Sequence, residues 1–169
     1  MAALEILAFA PFSKNIFGAI IFGFVFLTMY PAIVIYKKYL SGEIDLDVSD
    51  PKDRPKIYAA ALTSFAACTG LFWLVQDKLM FAVALSYLFV TAVISILNSF
   101  SKISAHTSGV AGPITAIVYY FGIFYAGLYL LLIPVAFARF KLGMHNRFQL
   151  AAGTVLGIVL TYAVFSAVL

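Results

Sequence analysis

Asn15-Ile-Phe-Gly-Ala-Ile-Ile-Phe-Gly-Phe-Val-Phe-Leu-Thr-Met-Tyr-Pro-Ala-Ile-Val-Ile-Tyr36 carries no charged side chain and is bracketed by Lys14 before it and Lys37-Lys38 after it. About 20 largely apolar residues cross roughly 30 Å of hydrocarbon, so this run reads as a transmembrane helix. Applied outward, the same reading finds five further spans, at about 57–75, 79–97, 104–121, 123–138 and 148–168. The expected architecture is all-α: an integral membrane six-helix bundle in one domain of 169 residues. The 104–121 span is the least typical, because Gly109, Gly112 and Pro113 interrupt it. Its opening small residues (Ser108, Gly109, Ala111, Gly112) would let another helix approach closely.

Composition agrees. The apolar fraction is 64%, charged residues are 11%, and mean hydropathy is +1.04. A soluble domain carries closer to a quarter charged residues. The net charge of +4 is read as topology and anion binding. Nucleic acid is excluded as a partner, because no basic helix or basic-aromatic module appears. Cys68 is alone within an apolar run, which leaves no disulfide framework and no thiolate metal site. The segment Met1 to Phe12 lacks the basic opening of a signal peptide and reads as a short interfacial helix leading into the membrane.

The one long hydrophilic stretch, Lys37 to Lys56, clusters Glu43, Asp45, Asp47, Asp50 and Asp53. Their spacing lacks the central glycine and final glutamate of a calcium loop, so a solvated loop is favoured over a metal site. With six crossings, this loop, the break near 98–106 and the segment 139–147 share one side of the membrane. That side gathers His106 and His145, the only histidines, with Arg54, Lys102 and Arg139. It also holds Lys37, Lys38, Lys52, Lys56, Lys141 and Arg147, leaving only Lys14 and Lys78 opposite. The positive-inside rule makes it the cytoplasmic face of a cell-membrane protein.

Two imidazoles among fixed cations suit phosphoryl chemistry on a lipid headgroup. Arginine meets two phosphoryl oxygens with a planar fork and stays charged when partly buried. Neutral imidazole can attack phosphorus, and protonated imidazole can supply the leaving oxygen with its proton. Such a site needs neither a metal nor another cofactor.

Ile103-Ser104-Ala105-His106 resembles the Pro-Ser-Gly-His motif of the type 2 phosphatidic acid phosphatases, membrane lipid phosphatases that share a helical core with vanadium haloperoxidases. Ala138-Arg139 through His145 is similar to that family's third motif, a small residue and arginine followed by five residues and histidine. The run 150–157 resembles its continuation into the last helix. The resemblance covers roughly Asn98 to Val159 and is closest to short prokaryotic and archaeal relatives. It implies a lipid phosphate or isoprenyl diphosphate as substrate, His145 as nucleophile and His106 as general acid. It further implies that Arg139 and Ser104 bind the phosphoryl oxygens.

The family's first motif is half present: Arg54-Pro55 fits its end, but Asp47 stands where its lysine would be, leaving Lys52 or Lys102 to supply that charge. Gln149 replaces the aspartate that would orient the nucleophile. These departures keep a second expectation open: a catalytically impaired relative that binds lipid, self-associates or serves as a subunit of a membrane complex.

Overall fold

Every regular element is helical. The computed structural model describes residues 1–46, 48, 50 and 52–169, and no strand occurs among them. Helix α1 is Ala2–Phe9, extended by a tight turn at Ala10–Phe12. It is followed by α2 (Ile16–Leu40), α3 (Arg54–Leu74), α4 (Lys78–Leu97), α5 (Ala105–Phe121), α6 (Ile123–Lys141) and α7 (Arg147–Val168). Helices α2, α3, α4, α6 and α7 are long and apolar enough to cross a membrane, so the chain is a membrane helical bundle. Helix α5, with 17 residues, is shorter; at 1.5 Å per residue it extends about 26 Å.

What α5 lacks in length it has in burial. Thr107, Ser108 and the run from Val110 to Ile117 are all buried, so this helix is the axis of the bundle. Its partner is α7, which runs parallel to it. Gly153 and Gly157 place bare backbone against Ser104, Thr107, Ser108 and Ala111, and Gly112 faces Thr161. A Cβ on Gly157 would meet the Ser108 carbonyl oxygen at 2.8 Å. Small residues on both surfaces thus allow the backbones to touch, the packing mode that membranes favour.

Helix α2 crosses with an internal irregularity that the sequence explains. Phe24–Met29 winds as a π turn, in which the Tyr30 N–H donates to the Val25 carbonyl. The next bond in that register would run from residue 31, which is proline and has no N–H. The stranded Phe26 carbonyl instead accepts a 2.7 Å hydrogen bond from the Ser64 hydroxyl on α3. An exposed carbonyl inside a bilayer is costly, so this side-chain bond both repairs the break and ties α2 to α3.

The N-terminal segment corrects an expectation. It does not lie at the interface as a short surface helix; α1 is folded into the bundle, with Glu5, Ile6, Phe9 and Ala10 buried. Two contacts draw it in. Ile6 packs onto Gly23 of α2, where a Cβ would approach the isoleucine side chain to 3.1 Å. Phe9 joins an aromatic cluster with Tyr120, Phe121 and Phe165 at the end of α5 and α7. The buried acid Glu5 accepts a 2.8 Å hydrogen bond from the Tyr87 hydroxyl of α4. A carboxyl at mid-bundle depth was not expected from the sequence.

Candidate functional site

Three chain reversals bring distant segments to one end of the bundle. At the end of α4, the Asn98 side chain accepts from the Ile103 N–H at 2.6 Å and donates to the Tyr58 hydroxyl at 2.8 Å. That holds the 98–104 link against α3. Ser104 then starts α5: its hydroxyl accepts from the Thr107 N–H at 3.3 Å, an N-cap bond. Its own N–H donates to the Gln149 carbonyl, fastening the start of α5 to α7.

The reversal between α6 and α7 accounts for the arginine-to-histidine spacing. Gly143 adopts φ 68°, a left-handed conformation that glycine takes without a Cβ penalty. Met144 N–H donates to the Arg139 carbonyl and Gly143 N–H to the Phe140 carbonyl, which together form a Schellman cap. The chain is thereby folded back along the last turn of α6, so that His145 returns towards Arg139. Asn146 and Gln149 next form a reciprocal capping box that starts α7.

The result is a cleft of about 1010 Å³ including its open mouth, into which Arg54, Lys102, His106, Arg139 and His145 all project. The buried Arg139 guanidinium lies against the ring of His106, with Nη2 3.0 Å from Nδ1 and also in contact with Nε2. Guanidinium nitrogens only donate, so in this arrangement the imidazole accepts. His145 Nδ1 is 3.3 Å from the Lys102 carbonyl oxygen. A carbonyl only accepts, which places the proton on Nδ1 and the lone pair on Nε2. The Gln149 side chain favours the protonated form of His145.

Partial burial holds the His145 pKa below the usual histidine value, and the Lys102 and Arg54 charges push in the same direction. The bonds to the Lys102 carbonyl and to Gln149 oppose that shift without reversing it. Neutral imidazole is therefore the prevailing form at pH 7. The Arg54 Nε donates to the Val48 carbonyl at 3.1 Å, and Leu46 and Val48 line the cleft wall.

Of the residues singled out in the sequence, Ser104 is placed differently from expectation. It is fully buried and does not line the cleft. Its hydroxyl is committed to capping α5, because a helix start leaves N–H groups that need an acceptor. The Gln149 Oε1 accepts from the Asn146 N–H at 3.0 Å, as part of the box that starts α7. Asp47 lies outside the described residues. Tyr58 and Asn98 line the cleft and were not foreseen. The only sequence signal for them was a polar residue at the end of an otherwise apolar helix.

Among the described residues, no three histidine, cysteine or carboxylate side chains gather as metal ligands. Within the acidic loop, Glu43 pairs instead with Lys38 at 2.6 Å and accepts from Ser41. No protein-family model, curated protein or solved structure matches the chain.

Proposed function

We propose that the chain is a lipid phosphatase of the type 2 phosphatidic acid phosphatase kind, working through a phosphohistidine. The observation that carries this reading is that both imidazoles and three cationic side chains, from α3, the α4–α5 link, α5, α6 and the α6–α7 link, line one cleft. Phosphoryl transfer asks a protein mainly for positioned positive charge around the transferring group, plus a nucleophile and an acid in line.

In this mechanism the His145 Nε2 lone pair attacks phosphorus, and the bond from phosphorus to the lipid oxygen breaks. The departing oxygen takes a proton from His106. Arg139, with Lys102 and Arg54, takes up the charge of the phosphoryl oxygens. A water molecule then attacks the phosphohistidine, giving up a proton to His106 and releasing inorganic phosphate. An entering phosphoryl group would also draw the Arg139 guanidinium from the His106 ring. The imidazole could then carry the proton it must donate. The positive-inside distribution supports a cleft facing the cytoplasm.

One observation favours a second reading, a binding protein without turnover. The polar side chain that favours the His145 cation is the Gln149 amide, which carries no charge to offset the one that develops on the ring. Purified protein in lipid nanodiscs, given a panel of lipid phosphates with and without vanadate and chelator, separates the two. The phosphatase reading expects chelator-insensitive phosphate release that vanadate suppresses, with turnover lost in His145→Ala. Undiminished turnover in that variant would overturn it. Saturable lipid phosphate binding without release would establish the second reading.

A further inference from the structure

Beside the cationic cleft lies a second cavity of about 470 Å³ including its open mouth, and Tyr58, Thr91 and Ala105 line both. Along α5 the inner cavity extends from Ala105 to Pro113, about 12 Å at the helical rise. Val90, Ile94 and Pro113 give it apolar walls. One turn beyond Glu5, Phe9 is packed among Tyr120, Phe121 and Phe165, which closes the bundle on the opposite face. The inner cavity adjoins the cleft along the three residues they share.

Two polar groups in this cavity are incompletely used. The Thr161 hydroxyl is buried and has no hydrogen-bond partner. Threonine in a helix ordinarily returns its hydroxyl to the carbonyl one turn back, but here the side chain lines the cavity. Glu5 is 1% exposed, and among the described residues Tyr87 is the one hydrogen-bond partner of its carboxyl. No lysine or arginine lines the space, so the carboxyl is held in its neutral form with one oxygen left to bond. Ionisable side chains inside a bundle are costly, and by default they mark a ligand or ion path.

We propose that this inner cavity is a subsite for the organic group attached to the phosphate, and that Glu5 and Thr161 select a group bearing a hydroxyl in an apolar body. A hydroxyl both accepts and donates, so it satisfies the neutral acid and the threonine together. A plain hydrocarbon would leave both unpaired, and sites built this way reject such analogues strongly. This rests on the phosphate reading of the outer cleft and deepens it by naming the class of substrate.

The test compares two probes of matched length, an alkyl phosphate and its ω-hydroxyalkyl counterpart, over graded chain lengths. Affinity is measured by calorimetry on the full chain in nanodiscs, with empty nanodiscs subtracted. At the length that reaches the cavity, the hydroxylated probe is expected to bind about tenfold more tightly, as one well-made buried hydrogen bond implies. Glu5→Leu and Thr161→Val are each expected to bring the two affinities together. Thr161→Val keeps the side-chain shape, so it serves even where the Glu5 variant fails to fold. Equal affinities at every length in the unmodified protein, or a preference that survives both substitutions, would overturn the proposal while leaving the phosphate cleft standing. Binding of neither probe would overturn the phosphate reading itself, and this subsite with it.

Discussion

The charge state of His145 decides when the proposed nucleophile is available. Its pKa is depressed first by burial, next by the Lys102 charge and then by that of Arg54. The acid limb of the rate profile should therefore fall below the ordinary histidine value near 6.5, with activity retained as pH drops through that point. The sign can be checked by substitution. Lys102→Met removes a repelling charge and is expected to raise the His145 pKa; Gln149→Leu removes a bond that favours the cation and should lower it further. Imidazole NMR titration reads both shifts directly, and two shifts of the same sign would refute the assignment.

Ser104 calls for a different measurement. Its hydroxyl caps α5, so Ser104→Ala should cost about 1 kcal/mol of stability, as losing an N-cap does elsewhere, with vanadate affinity unchanged. A large loss of vanadate affinity would return the serine to the anion site. The sequence motif located this residue correctly beside His106 but did not reveal its orientation. Serine before a helix serves equally as a cap or as a ligand donor, and only the position of the Thr107 N–H distinguishes the two.

At the level of elements, the spacing from Arg139 to His145 is set by the cap that ends α6. Gly143→Ala places a Cβ in the left-handed region, at about 1–2 kcal/mol. The expected outcome is lower thermal stability together with a weakened anion site, since the same turn aims His145. Gly143→Asn, which tolerates that conformation better, should recover part of both. A deeper effect is expected at the α5–α7 contact. Gly153→Ala drives a Cβ into the Ser104 carbonyl and the Thr107 hydroxyl, neither of which is the free end of a flexible side chain. The starts of the two helices must then separate, and a large drop in melting temperature should accompany loss of vanadate binding.

Much of this element-level structure was legible. Apolar length located the helices, and the small residues of α5 announced a close neighbour. The neighbour's identity was not legible, because Gly153 and Gly157 become informative only once α7 is known to run parallel to α5. Helix α1 was misjudged for a related reason. Its fate turns on the room that Gly23 leaves for Ile6 and on Tyr87 being there to receive Glu5, contacts across 17 and 82 positions of chain that no local pattern encodes.

Across the whole molecule, the cleft forms where Leu46 and Val48, the 98–104 link and the 142–146 link meet at one end of the bundle. Loop parity predicted that grouping before any contact was known, since each added crossing inverts the side of everything after it. The same dependence makes topology the sharpest test. Single cysteines introduced at Lys52 and Lys141, in a Cys68→Ala background, should react alike with a membrane-impermeant maleimide in sealed vesicles. A cysteine at Gln76, in the α3–α4 turn, should show the opposite accessibility. Cys68 itself is buried, so its removal should leave the fold intact. If the 52 and 141 positions labelled from opposite sides, α3, α4, α5 and α6 could not all cross as described, and Arg54 and Arg139 could not share a cleft. If all three positions labelled from one side, α3 would not cross, and Arg54 could not share a cleft with Arg139.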